Sequence, residues 1–98
     1  MAHSQKSADF LMATRIAGAQ RGDANAYFDL GIAYSSGSGG LTVDLVQAHK
    51  WFNLAALGGN VRGQECRAEI AGEMSAREIA EAQRQARAWL SEAGRTTH

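Results

Sequence analysis

The chain has 98 residues, enough for one small domain, and its ten basic residues balance its ten acidic residues. This balance argues against nucleic acid as a partner, because phosphate binding needs an excess of Lys and Arg. Proline is absent, alanine is abundant and β-branched residues are few, so the composition predicts an all-α protein.

The cysteine content and the N-terminal segment bear on the compartment. Cys66 is the single cysteine and cannot form an internal disulfide, so nothing requires an oxidising environment. Charged residues interrupt the N-terminal segment and leave no apolar run long enough for a signal peptide or a membrane span. We therefore expect a cytoplasmic protein that does not bind membranes, although a longer native chain could carry a signal peptide or further repeats.

The first two predicted helices are separated by a glycine. Ser7 is the predicted N-cap of a first helix that extends to about Gln20, and Gly22 ends it. Asp23 is the N-cap of a second helix that extends to about Ser35. The predicted inner faces are Phe10, Leu11, Thr14, Ala17 and Gly18 in the first helix and Ala26, Tyr27, Leu30, Ala33 and Tyr34 in the second.

A glycine-rich turn, SSGSGGLTV at 35–43, precedes the third helix. Asp44 and Gln47 have the spacing of a reciprocal capping box, so the third helix begins there, and Gly58 and Gly59 end it. This helix has the strongest apolar stripe of the chain: Leu45, Ala48, Trp51, Phe52, Ala55 and Ala56.

Two further helices complete the predicted chain. Asn60 caps a fourth helix that extends to about Gly72, and Ser75 with Glu78 forms a second capping box for the fifth. The inner-face positions are Gly63, Cys66, Arg67 and Ile70 in the fourth helix and Ile79, Ala82, Ala86, Trp89, Leu90 and Ala93 in the fifth.

One segment carries a family pattern at most of its signature positions. These positions are Ala26, Leu30, Gly31, Tyr34, Gly37, Gly39, Asp44, Ala48, Trp51, Phe52, Ala55, Ala56 and Gly59. In this pattern the chain resembles the Sel-one-like repeat (SLR) family, which is related to the tetratricopeptide repeat. The spacing from Gly39 to Asp44 is one residue longer than in the family, which a turn can absorb.

The resemblance implies a short right-handed αα-solenoid of about five helices in the order B-A-B-A-B, within a protein of bacterial type. The chain would then be a single domain, 1–98. Residues 7–21 form an N-terminal half-repeat, 23–59 form the complete repeat, and 60–94 form a partial repeat with a closing helix. Faint internal repetition agrees, since Ala19 and Ala56 have the same separation as Gly22 and Gly59.

No motif predicts catalysis, a cofactor or a metal. His3, His49 and His98 lie far apart, and no His or Cys recurs at a metal-ligand spacing. We expect His49 to be a solvated helix-surface residue rather than a base, and Cys66 to be a small apolar filler rather than a nucleophile. The GSGG segment lacks the Lys-Ser/Thr of a phosphate loop and follows a helix, so it is interpreted as a turn.

The resemblance therefore predicts a non-enzymatic adaptor that binds a peptide or partner protein through its A helices, the second and fourth. The outward positions on these helices are Asn25, Phe28, Asp29, Ile32, Arg62, Glu65 and Glu69. A competing interpretation is that the first helix covers Phe28 and Ile32. The alternative function is a self-assembling homo-oligomer or a fragment of a longer repeat scaffold. A hydrolase using Cys66 or His49 is a distant third.

Overall fold

The computed structural model describes the backbone of residues 2–96 and the side chains of residues 9–38 and 40–92. Within this part of the chain all regular structure is helical, which confirms the all-α class predicted from the composition. The five α-helices are α1 Ala2–Gln20, α2 Ala24–Ser36, α3 Leu45–Leu57, α4 Val61–Ala71 and α5 Ala76–Thr96. None of them is long and apolar enough to cross a membrane in the residues described.

Most helix boundaries fall where capping chemistry predicts them. The Asp23 carboxylate accepts a hydrogen bond from the Asn25 N–H at 2.9 Å, and the Asn60 side chain accepts one from the Gly63 N–H at the same distance. Gly22 has a left-handed backbone, with φ of 79°, and it separates α1 from α2 without the steric cost that a side chain would add.

The capping box predicted at the start of α3 is only half formed. The Asp44 carboxylate accepts a hydrogen bond from the Gln47 N–H at 3.1 Å, as predicted. The second bond of the box, from the Asp44 N–H to the Gln47 side chain, does not form, because the Asp44 N–H donates to the Tyr34 carbonyl at 3.0 Å. The Gln47 amide is therefore free to donate to Gln85 in α5, at 2.9 Å. The Asp44–Tyr34 bond also closes the turn between α2 and α3, which contains a short 3-10 segment, Ser38–Gly40.

The predicted start of α1 is wrong. The helix begins at Ala2, so Ser7 lies inside it and does not cap it. The segment before Ser7 contains neither glycine nor proline, so nothing in it stops the helix from extending towards the N-terminus.

The predicted inner face of α1 is also largely wrong. Ala19 is buried, and Met12 and Ile16 pack against the same core cluster, so the face in contact has the spacing i, i+4, i+7. The other face leaves the predicted residues Phe10, Leu11 and Thr14 exposed, while Ala17 is half-buried and Gly18 is buried. The exposed fractions are 71% for Phe10 and 50% for Leu11.

Helix α3 forms the centre of the fold, in contact with α2, α4 and α5, while α1 packs on α2. Its predicted stripe is confirmed at Ala48, Trp51, Phe52 and Ala55, which are all buried. The molecule is a slab of 39 × 38 × 22 Å. Because three helices surround α3, its buried sector is wider than a single stripe.

Small residues allow α3 to approach its neighbours closely. Gly31 of α2 faces the Phe52 ring, and a Cβ at Gly31 would overlap that ring. On the other side, Gly63 of α4 sits against Ala55, where an added Cβ would be 2.9 Å from the alanine Cβ. The pairing of large and small side chains therefore sets the distance between these helices.

An aromatic cluster links α2, α3 and α5. The rings of Tyr27 and Trp51 are stacked with centroids 5.8 Å apart, and Trp89 meets Trp51 edge to face at 5.0 Å. The Trp89 indole N–H donates a hydrogen bond to the Tyr27 hydroxyl at 3.1 Å. This hydrogen bond links α5 directly to α2, in addition to the packing of both helices on α3.

Candidate functional site

The seven predicted partner-binding residues lie on α2 and α4, and we call them the α2–α4 surface. Its members are Asn25, Phe28, Asp29 and Ile32 on α2 and Arg62, Glu65 and Glu69 on α4. All are exposed except Phe28, which is half-buried. Ile32 is 38% exposed, so α1 does not bury it as the competing interpretation required.

Phe28 and Arg62 join the two halves of this surface. The Arg62 guanidinium lies 5.0 Å from the centroid of the Phe28 ring, a cation–π distance. The same ring packs against Phe52 in the core, with centroids 5.7 Å apart. Phe28 therefore contacts Phe52 in the core and Arg62 on the neighbouring helix.

A second contact connects the two helices near their N-termini. The Asn60 amide donates a hydrogen bond to the Asn25 side-chain oxygen at 3.3 Å. Asn60 also caps α4, so the bond fixes the start of α4 relative to α2. Two contacts therefore join α2 and α4 at this surface: the cation–π contact of Arg62 with Phe28 and the hydrogen bond from Asn60 to Asn25.

The charges on the α2–α4 surface are not balanced, in contrast to those of the whole chain. Asp29, Glu65 and Glu69 contribute three carboxylates, whereas Arg62 contributes one guanidinium. All four side chains are exposed. The surface is therefore net negative, and it attracts positively charged groups at low ionic strength.

The expectation that His49 is solvated is wrong. It is buried, with 2% of its surface exposed, and its Nδ1 atom has no hydrogen-bond partner among the described residues. Burial lowers the pKa of His49, and the positive charge of Arg67 lowers it further. Such a buried imidazole is poorly placed to exchange protons with a substrate.

The burial of His49 follows from its position on α3. The residue follows Ala48 and lies one turn before Phe52, at the border of the predicted stripe. Contact of α3 with α4 widens the buried sector beyond that border. A pattern that allowed for helices on three sides of α3 would have included His49.

Cys66 packs against the cluster of Ala48, Phe52 and Ile70 and is half-buried, as an apolar filler would be. Among the described side chains, no group of three or more His, Cys, Asp or Glu residues is arranged to hold a metal ion. His3, His98 and Ala93 have side chains outside the described part.

Sequence reasoning missed a groove between α3 and α5. Its volume is about 190 Å³, and it is lined by Lys50, Arg84, Gln85, Ala88, Trp89 and Glu92. Lys50 lies on α3, next to Trp51, and its position in the sequence resembles that of any exposed helix lysine. Only the packing of α5 on α3 brings these side chains together.

No family model, curated protein or solved structure matches this chain.

Proposed function

We propose that this protein is a non-enzymatic interaction module that binds a helix or peptide from a partner protein on the α2–α4 surface. The contact between Phe28 and Arg62 carries this proposal, because it joins the outward faces of two helices into one continuous surface. Ile32, on the same side of α2, supplies an exposed apolar side chain. A partner helix can bury such side chains and gain most of its binding energy there.

The charge of the surface defines the partner further. Asp29, Glu65 and Glu69 outnumber Arg62, so an acidic partner would be repelled and a basic one attracted. The proposed ligand is therefore an amphipathic helix with an apolar face for Phe28 and Ile32. Its flanking residues would be Lys or Arg.

The proposal includes the helical-repeat architecture of the SLR type, a short right-handed solenoid in which α2 and α4 are the A helices. Three features support it: the close approach of Gly31 to Phe52, the caps at Asp23 and Asn60, and the packing of α5 on α3. In such repeats the A helices line one side of the stack, where partners bind.

Binding of two synthetic amphipathic peptides, one of Leu and Lys and one of Leu and Glu, tests the proposal by fluorescence anisotropy. We expect the basic peptide to bind, with affinity that falls as salt is added, and the acidic peptide not to bind. Ile32→Ser should weaken binding of the basic peptide by about fivefold or more, equivalent to ~1 kcal/mol.

Leu90→Ser is the matched control. Leu90 was predicted on the inner face of α5, but 45% of its area is exposed, and α5 is not part of the α2–α4 surface. Leu90→Ser should leave the affinity for the basic peptide unchanged. Equal weakening by Leu90→Ser and Ile32→Ser, or binding of neither peptide, would count against the α2–α4 surface.

A second candidate function, self-assembly, is favoured by the exposed apolar side chains of α1. Phe10 and Leu11 are adjacent and both exposed, so α1 presents an apolar patch at one end of the helix stack. Light scattering without any peptide separates the candidates. A dimer that becomes monomeric in Phe10→Gln supports self-assembly, whereas a monomer at every concentration removes it.

A further inference from the structure

The groove between α3 and α5 holds a lysine in an unusual setting. Lys50 is half-buried, and its Nζ atom lies 4.4 Å from the Trp51 ring centroid and 5.5 Å from that of Trp89. The two rings meet edge to face, so they form a corner that confines the amine. The groove of about 190 Å³ gives small molecules access to Lys50.

The charged neighbours of Lys50 do not form ion pairs with it. Arg84 donates two hydrogen bonds to Glu81, at 2.9 and 2.6 Å, and Gln85 donates a third at 2.8 Å. These bonds lower the pKa of Glu81 to about 2. The Glu81 carboxylate therefore bonds Arg84 and Gln85 and not Lys50. No described carboxylate oxygen lies within 4.0 Å of the Lys50 Nζ atom.

Opposing effects act on the protonation of Lys50. Burial lowers its pKa, while the negative charge of Glu92 raises it by a smaller amount. The ring faces also favour the ammonium form. Of burial and Glu92, burial has the larger effect, so together they lower the pKa of Lys50 and raise the fraction of its neutral, nucleophilic amine at a given pH.

We propose that Lys50 is a site of covalent acylation by small activated acyl donors, namely acyl phosphates or acyl thioesters. The Nζ lone pair attacks the carbonyl carbon and forms a C–N bond. The C–O bond to phosphate or the C–S bond to the thiol then breaks, and the leaving group takes the electron pair. The nitrogen loses a proton to water, so the product is a neutral amide.

Acylation would remove a positive charge from the corner formed by the two tryptophans. Trp51 and Trp89 are the only tryptophans of the chain, and both contact Lys50. The intrinsic fluorescence of the protein therefore reports the state of this one lysine. Modification should change the emission of the folded protein in step with the loss of the free amine.

Mass spectrometry after incubation with acetyl phosphate, and separately with acetyl-coenzyme A, tests the proposal. The chain has two lysines, so Lys6 serves as the internal reference. We expect Lys50 to be acetylated several-fold faster than Lys6 in the folded protein, by at least one donor. The preference should disappear in denaturant, where both lysines are solvated.

The pH profile and one variant complete the test. The rate at Lys50 should level off at a lower pH than the rate at Lys6, and Lys50→Arg should abolish the fluorescence change. Equal rates at the two lysines in the folded protein would overturn the proposal. A preference for Lys50 that persists in denaturant would also overturn it, since it would then come from local sequence and not from the groove.

Discussion

At the scale of single residues, His49 combines a core position with a polar ring. The ring lies on the side of α3 that packs towards α4, and Arg67 of α4 is close enough to disfavour a second positive charge. Burial has the larger effect on its pKa, since a charged imidazole would lose its hydration. The native fold therefore favours the neutral form of His49.

This neutral histidine makes the stability of the protein depend on pH. In the unfolded chain His49 titrates near its ordinary pKa of about 6.5, while in the folded protein its pKa is lower. Below about pH 6.5 the unfolded state binds more protons, so the free energy of unfolding falls as the pH falls towards the folded-state pKa. The slope reaches at most ~1.4 kcal/mol per pH unit.

Urea denaturation at several pH values between 5 and 7.5 measures the effect, in a range above the ordinary pKa values of carboxylates. His49→Leu should flatten the dependence, since it removes the titrating group and leaves no unpaired Nδ1 atom. Identical pH dependence in the two proteins would mean that another group is responsible.

Gly31 is a second residue whose role depends on its neighbours. Because a Cβ at this position would overlap the Phe52 ring, Gly31→Ala should force α2 and α3 apart. We expect a loss of about 1–3 kcal/mol in the free energy of unfolding, measured by urea denaturation. The loss should be relieved in part by Phe52→Leu, which shortens the opposing side chain.

Gly72→Ala provides the control for Gly31→Ala. Its backbone is right-handed, with φ of −64°, and the nearest atom to an added Cβ is the Glu69 carbonyl oxygen at 3.4 Å. This substitution should be neutral or stabilise by up to ~1 kcal/mol, because alanine restricts the unfolded chain. Equal destabilisation by both substitutions would argue against a steric role for Gly31.

At the scale of elements, α3 and α5 begin with the same type of motif but use it differently. At α5, the Glu78 N–H donates to the Ser75 hydroxyl at 3.1 Å, and the Ser75 N–H donates to the Glu78 carboxylate at 2.8 Å. At α3, only the bond to Asp44 forms. The local spacing predicts a helix start at both sites. At α3 the second bond of the capping box does not form, because the Asp44 N–H donates to the Tyr34 carbonyl instead.

The complete box at α5 allows a direct prediction. Ser75→Ala removes the acceptor of the Glu78 N–H, so it should lower the free energy of unfolding by about 1 kcal/mol, measured by urea denaturation. Ser91→Ala, in an exposed position inside α5, should change stability by less than about 0.5 kcal/mol. A loss at Ser75 no greater than that at Ser91 would contradict the capping role.

Helix α1 has two apolar faces, and its sequence does not show which of them is buried. It carries apolar residues on more than one side, with Phe10 and Leu11 on one and Met12 and Ile16 on another. Periodicity alone cannot choose between two such faces, because both have helical spacing. The contact with α2 selects the face of Met12 and Ile16.

At the scale of the whole molecule, burial is organised around α3. Helix α3 has other helices on three sides; four residues of its predicted stripe are buried and so is His49, and α5 brings Trp89 to Trp51 and Lys50. The seven residues of the α2–α4 surface were identifiable as outward positions on two helices. That Arg62 rests on the Phe28 ring depends on how those helices pair.

The amino-acid sequence is enough to predict the all-α class, five helices, most of their boundaries and the central stripe of α3. These follow from composition, caps and periodicity, which act over a few residues. Four further features arise when the helices pack together: the inner face of α1, the burial of His49, the half-formed capping box at Asp44 and the groove at Lys50. Each of these depends on a neighbour distant in sequence, so no local pattern contains it.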